Sequence, residues 1–321
     1  MHEATPCIPE MVTMDAILDV ETKPNLHANG SNSTLASRER QKSLMLRAWI
    51  LSGLFFMALP GTLLGFSSLM AISTHHGLSS LPPAWLQGHG HAQMFGWIGS
   101  FILGIGFFSQ PGQRRSVIRI PLTAFILWTS GVALRWMANI YAWDWRVLLP
   151  ISAAMELIAV LLFLAAARQH KMPEAKPGET SKPRMELWMV SVLIGTGGLA
   201  AGMLFDFVEC LVLSVRGSSL AFPPTVDSKY LVLLAWGFLV PTVWGFSARW
   251  LPALLAISKP NGRLFRFALL LDVAGVICGV SGWAKPATIL LALGAITVGL
   301  ALQLILKPHG AAKVEGIHPS F

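Results

Sequence analysis

Eight stretches of this chain approach the roughly 20 apolar residues that an α-helix needs to cross about 30 Å of hydrocarbon, and nothing constrains its fold more. They lie at 48–72, 92–109, 120–141, 147–167, 188–213, 230–257, 264–281 and 287–306. A composition of 54% hydrophobic and only 12% charged residues agrees with them. A backbone in lipid must satisfy its own hydrogen bonds, so each span is expected to be a helix; a β-barrel would show short alternating segments instead. The expected fold is all-α, a polytopic transmembrane bundle of about eight spans in a lipid bilayer.

The net charge of +8 does not point to nucleic acid, because the basic residues sort by side of the membrane. Of 24 Lys and Arg, 18 fall in the tails and in the second, fourth and sixth loops. Only Arg146, Arg216, Lys229 and Lys285 fall on the other side, with Arg135 and Arg249 inside spans. By the positive-inside rule this predicts a multi-pass protein with both termini cytoplasmic and the His89/His91 end of the second span facing outward. Residues 1–46 lack the apolar core of a cleavable signal and are expected to be a disordered tail, leaving the first span as an anchor. Cys7, Cys210 and Cys278 are too scattered for a disulfide frame or a thiolate zinc site.

Sliding the chain along itself by 141 residues superposes the first four spans on the last four. Gly61 falls on Gly202, Pro82-Pro83 on Pro223-Pro224, Gly96 on Gly237, Gly104 on Gly245 and Pro111 on Pro252. The expected organisation is a tail at 1–46, a four-span half at 47–168, a linker at 169–186, a second half at 187–307 and a tail at 308–321. An even number of spans per half gives parallel repeats about an axis along the membrane normal. Under the same shift His91 falls on Val232 and His89 on Tyr230, so any imidazole chemistry belongs to one half alone.

The run Gly88-His89-Gly90-His91-Ala92-Gln93-Met94-Phe95-Gly96-Trp97 heads the second span. Imidazole at the edge of hydrocarbon is costly, and it suits the holding of a haem iron or copper. In extended backbone His89 and His91 project to one side and can chelate one metal; in a helix they lie about 200° apart and one alone can serve. Gly96, Gly99, Gly104 and Gly106 strip bulk from the span, either for a flat macrocycle or for a neighbouring helix. His75 and His76, in the first loop on the same side, are candidate supplementary metal ligands. Asp206 and Glu209 stand one turn apart in the fifth span, at a depth similar to Arg135 in the third, and an Arg135 pair with either would make all three tolerable. Glu156 and Asp272 are further intramembrane acids of the same kind. Pro241 is expected to kink the sixth span, Arg249 and Trp250 to anchor it at the interface, and Trp49, Trp143, Trp145, Trp188 and Trp283 to form an interfacial belt.

The run from His89 to Trp97, followed by a glycine-rich helix, resembles the His-Ala-His-x-x-x-Phe-Gly signature of NnrS proteins, and Gly245 to Pro252 resembles a Gly-x-x-x-Arg-x-x-Pro stretch of their relatives. More distantly, His91-Ala92 heading a Met-Phe helix is similar to a haem-ligand helix in subunit I of haem-copper oxidases. The chain departs from the family in having fewer spans and no histidine between His170 and His309. The resemblance implies a membrane protein holding haem or copper, with His91 the prime ligand, His89 the second, and a role in the response to nitric oxide or in respiratory metabolism. Arg135 would then suit a haem propionate, and a respiratory complex or electron donor would be the partner. The rival expectations are a transporter or carrier with a path along Arg135, Asp206, Glu209 and Asp272, and a non-catalytic assembly subunit of a respiratory complex.

Overall fold

In a computed structural model the described residues are 26–76, 81–109, 119–168, 185–255 and 258–303, and they form helices joined by short turns. The chain divides into an N-terminal unit, 1–44, and a second unit, 45–321. The N-terminal unit is helical from Leu26, with an ion pair between exposed Glu39 and half-buried Lys42 on it. One turn of helix brings such a pair together.

Among its described residues the second unit holds eight helices. They are α1 (45–76), α2 (Pro83–Phe108), α3 (Arg119–Tyr141), α4 (Trp145–Arg168), α5 (Leu187–Arg216), α6 (Pro224–Leu254), α7 (Gly262–Val280) and α8 (Ala284–Ala301). Seven are long and apolar enough to cross a membrane. The eighth, α7, carries Arg263, Arg266 and Asp272 in its 19 residues. The protein is a multi-pass membrane helical bundle, and large side chains such as Leu51, Phe66, Leu69, Leu270 and Ile277 point outward from it.

Two helices start well before the apolar stretches that mark them. α2 begins at Pro83 rather than at residue 92, and α6 at Pro224 rather than 230. In both, one proline in extended conformation precedes a second at the first helical position, where its fixed φ suits a helix and its missing N–H costs nothing. The polar run Gln87 to His91 is therefore helical and internal, not a mouth in front of the helix.

Element bounds recur at the 141-residue offset. Pro83–His91 matches Pro224–Val232, and the π-helical segment Ala92–Gly99 matches the π-helical segment Leu233–Leu239. The packing recurs too: α1 on α2, α2 on α3 and α3 on α4 in the first half; α5 on α6, α6 on α7 and α7 on α8 in the second, with α4 on α5 joining them. The matched glycines explain themselves by this packing. A Cβ at Gly96 would lie 2.6 Å from Phe56 Cβ, one at Gly104 2.5 Å from Trp49 Cβ, and one at Gly245 2.8 Å from the Trp188 carbonyl, each across the contact between the first two helices of a half. Gly99 and Gly106 are filled by Trp128 and Phe163. These glycines serve helix contact rather than a macrocycle face.

Trp49 accordingly leaves the interfacial belt expected for it. It is fully buried, 6.1 Å from Phe107 and 5.3 Å from Phe125 between ring centres, in a core with Phe56, Phe95, Leu103 and Trp128. Trp143 and Trp283 remain exposed at helix ends. Pro241 falls just after the π-helical segment of α6, whose looser winding accommodates it without ending the helix. Arg249 lies 4.5 Å from the Trp188 ring and 3.5 Å from Glu186, an exposed anchor at the helix end.

Candidate ligand site between the two halves

The second helix of each half lines one cavity of about 730 Å³, bounded by α2, α6, Arg135 of α3 and the connection 219–223. Its walls are mainly apolar, with Leu86, Met94, Phe95, Ile98, Phe222 and Leu234 among them. Polar groups reach it from His91, Arg135 and Tyr230. Each is placed by helical periodicity. His91 and Phe95, one turn apart, share the inner face of α2 with ring centres 4.6 Å apart, and Phe95 in turn lies 6.4 Å from Tyr230.

His91 is buried, and its Nε2 lies 3.0 Å from Glu156 Oε1 on α4. The carboxylate accepts only, so Nε2–H donates and Nδ1 is the nitrogen left for another partner. Glu156 is fully buried, its second oxygen has no hydrogen-bond partner, and its side chain fits because Gly131 leaves room: a Cβ there would lie 2.7 Å from Glu156 Cγ. His89 turns away. Its Nδ1 donates to the Gly61 carbonyl at 2.8 Å, tying α2 to the π-helical stretch of α1 around Pro60. With the backbone helical, the two imidazoles face different helices and do not converge.

Arg135 joins the halves. Its guanidinium grips Asp206 of α5 through both nitrogens, at 2.8 and 3.3 Å, and also donates to Cys210 Sγ one turn further on. Arg135 and Asp206 are both buried, so each neutralises a charge that neither side chain could carry alone in an apolar interior. Glu209 is half-buried and takes no part in this pair. Arg135 Nε and the Tyr230 hydroxyl are buried without hydrogen-bond partners, and both residues line the cavity. The ring of Phe222 covers the guanidinium at 5.2 Å. Phe222 is held by Gln87, whose amide accepts from its N–H at 2.9 Å and donates to its carbonyl at 3.1 Å.

The side chains of His75 and His76 lie outside the described residues, though their backbone closes α1. Among the described residues no group of three or more His, Cys, Asp and Glu side chains is placed to hold a metal ion. The His91 to Glu156 pair is not legible in the sequence: the two residues are 65 apart, and they meet only because Gly131 of α3 leaves Glu156 room. No family model matches the chain, and no curated protein or solved structure is detectably similar to it.

Proposed function

We propose that this protein binds haem in the cavity between α2, α3 and α6, where His91, through Nδ1, is the residue that would hold the iron. The observation that carries the reading is a buried histidine that lines a large apolar cavity while its other ring nitrogen is held by a carboxylate. That is the arrangement in which a histidine ligand is oriented and made more basic by its outer partner. A volume of about 730 Å³ falls within the roughly 300–1,000 Å³ of small-molecule and cofactor sites. Arg135 Nε and the Tyr230 hydroxyl, both lacking partners, are the donors available to a haem propionate. Haem fits the described donor set better than copper, because an apolar cavity with one protein ligand suffices for it, whereas copper sites draw on several imidazole and sulfur donors. Bound haem supplies redox chemistry and a seat for diatomic ligands, which agrees with the NnrS-like run at His89 to Trp97 and with a role in nitric oxide response or respiration.

The test is an absorption spectrum of the full chain purified in detergent from haem-replete cells. A Soret band lost in His91→Ala and kept in His89→Ala is expected, since His89 ties α2 to α1 and does not share the His91 surroundings. A colourless wild-type protein overturns the proposal. The lysine and arginine bias supports a plasma-membrane orientation with both termini cytoplasmic, which reporter fusions at either end would check.

A second reading rests on the Arg135 to Asp206 pair, which joins the two halves beside a cavity that both second helices line. Parallel repeats around a central site with buried charges are also the layout of carriers. That reading expects substrate flux in proteoliposomes that depends on Asp206 and is indifferent to His91.

A further inference from the structure

Asp272 is a buried acid that the cavity at His91 does not use. It stands on α7, is 0% exposed, and neither carboxyl oxygen has a hydrogen-bond partner. It lines a separate cleft of about 210 Å³ with Gly197 and Gly198 of α5, Gly237 of α6, and the aliphatic side chains of Ile194, Val276 and Ile277. The ionisable groups on the helices packed against α7 all lie outside the lining of this cleft: Asp206, Glu209, Cys210 and Arg216 on α5, Asp227, Lys229, Tyr230 and Arg249 on α6, and Lys285 on α8. So do Arg263, Arg266 and Cys278 of α7 itself.

The duplication explains why the acid is alone. Position 272 corresponds to Gly131, the residue against which Glu156 packs in the first half. The first half thus sets its carboxyl group, Glu156 of the fourth helix, against the third helix, whereas the second half carries one on the third helix itself. In the first half His91 answers it; in the second the corresponding residue is Val232, which has nothing to donate.

We propose that Asp272 is a proton-binding site, separate from the large cavity and reached through the glycine-lined cleft. An ionised carboxylate without a counter-charge or donors is expensive in an apolar interior, whereas the acid form needs no cation. Binding forms one O–H bond and neutralises one charge, and release reverses both without any redox partner. Gly197 bears on access directly, since a Cβ there would meet nothing within 4 Å.

A hydrophobic carbodiimide tests this on the full-length protein in detergent. The reagent reacts with the carboxylic acid, whose O–H adds across a C=N bond to give an O-acylisourea; the acyl group then shifts from oxygen to nitrogen, leaving a stable N-acylurea with nothing lost, and peptide mapping by mass spectrometry locates the adduct. Label at Asp272 is expected, falling roughly tenfold for each pH unit above the titration point. Asp272→Asn removes that adduct. The proposal is overturned if Asp272 in the wild-type chain stays unlabelled, or if its labelling is unchanged from about pH 5 to about pH 9. Neither result depends on whether the protein is coloured, so it stands or falls apart from the haem reading.

Discussion

Arg135 and Asp206 bind each other through two hydrogen bonds across the boundary between the halves, 71 residues apart in sequence and almost completely shielded from solvent. Removing one partner leaves the other charged and buried, which typically costs about 3–5 kcal/mol, whereas replacing both with apolar residues of similar size is often neutral. Arg135→Met is therefore expected to lower the detergent-solubilised Tm sharply, and Arg135→Met combined with Asp206→Leu to recover most of it. A double variant as unstable as the single would show that the pair's value lies in contacts other than its charge balance.

The Glu156 carboxylate orients His91, so its conservative replacement separates positioning from folding. Glu156→Gln keeps size and an acceptor oxygen for His91 Nε2 but removes the charge. Outer partners of this kind are commonly worth about 10–100-fold in ligand affinity. On the haem proposal, affinity measured by titration of apoprotein is expected to fall by that order, and the Soret position to shift, while the Tm changes little. Unchanged affinity and spectrum would place Glu156 in a packing role only.

Glycines of α2 fall into two groups. A Cβ at Gly104 would press on Trp49, itself locked between Phe107 and Phe125, while one at Gly90 meets nothing within 4 Å and faces the large cavity. Gly104→Val is expected to destabilise by about 1–3 kcal/mol, the usual cost of overpacking a filled core. Gly90→Val is expected to leave stability nearly unchanged and to weaken ligand binding. Thermal unfolding and haem titration on both variants distinguish the two effects, and equal loss of stability in both would contradict the assignment.

What could be read in the chain follows from which forces act locally. Eight apolar lengths were legible because crossing hydrocarbon is a length requirement on consecutive residues. The starts of α2 and α6 were misplaced because Gln87 to His91 and Asp227 to Lys229 are polar, although the Pro82-Pro83 and Pro223-Pro224 pairs mark both. Arg135 was matched by depth, which helix counting supplies, to Asp206 or Glu209; packing makes Asp206 the partner. His91 and Glu156 were not matched, since their meeting depends on how α2, α3 and α4 pack and on the room left by Gly131. Trp49 looked like a belt residue from its place at a span end, but Gly104 on the neighbouring helix drew it into the core.

Gln87, in the wall of the large cavity, holds the backbone of Phe222 by both its N–H and its carbonyl, at 2.9 and 3.1 Å, across 135 residues of sequence. That grip keeps the Phe222 ring over Arg135 at 5.2 Å and edge-on to Tyr230 at 5.8 Å between ring centres. Gln87→Leu retains bulk but leaves the Phe222 N–H and carbonyl without these partners, at a cost of about 1–3 kcal/mol for a buried group stranded in this way. The connection 217–223 has few other ties: Gly217 is held by the Leu213 carbonyl and by Arg146, which donates to the Gly217 and Ser214 carbonyls. Loss of the Gln87 contact is thus expected to loosen the segment beyond Gly217 while the helices stay folded. Hydrogen exchange should rise selectively over 218–223, and on the haem proposal the bound cofactor should dissociate faster. If exchange in that segment is unaltered, the two hydrogen bonds are not what holds it in place.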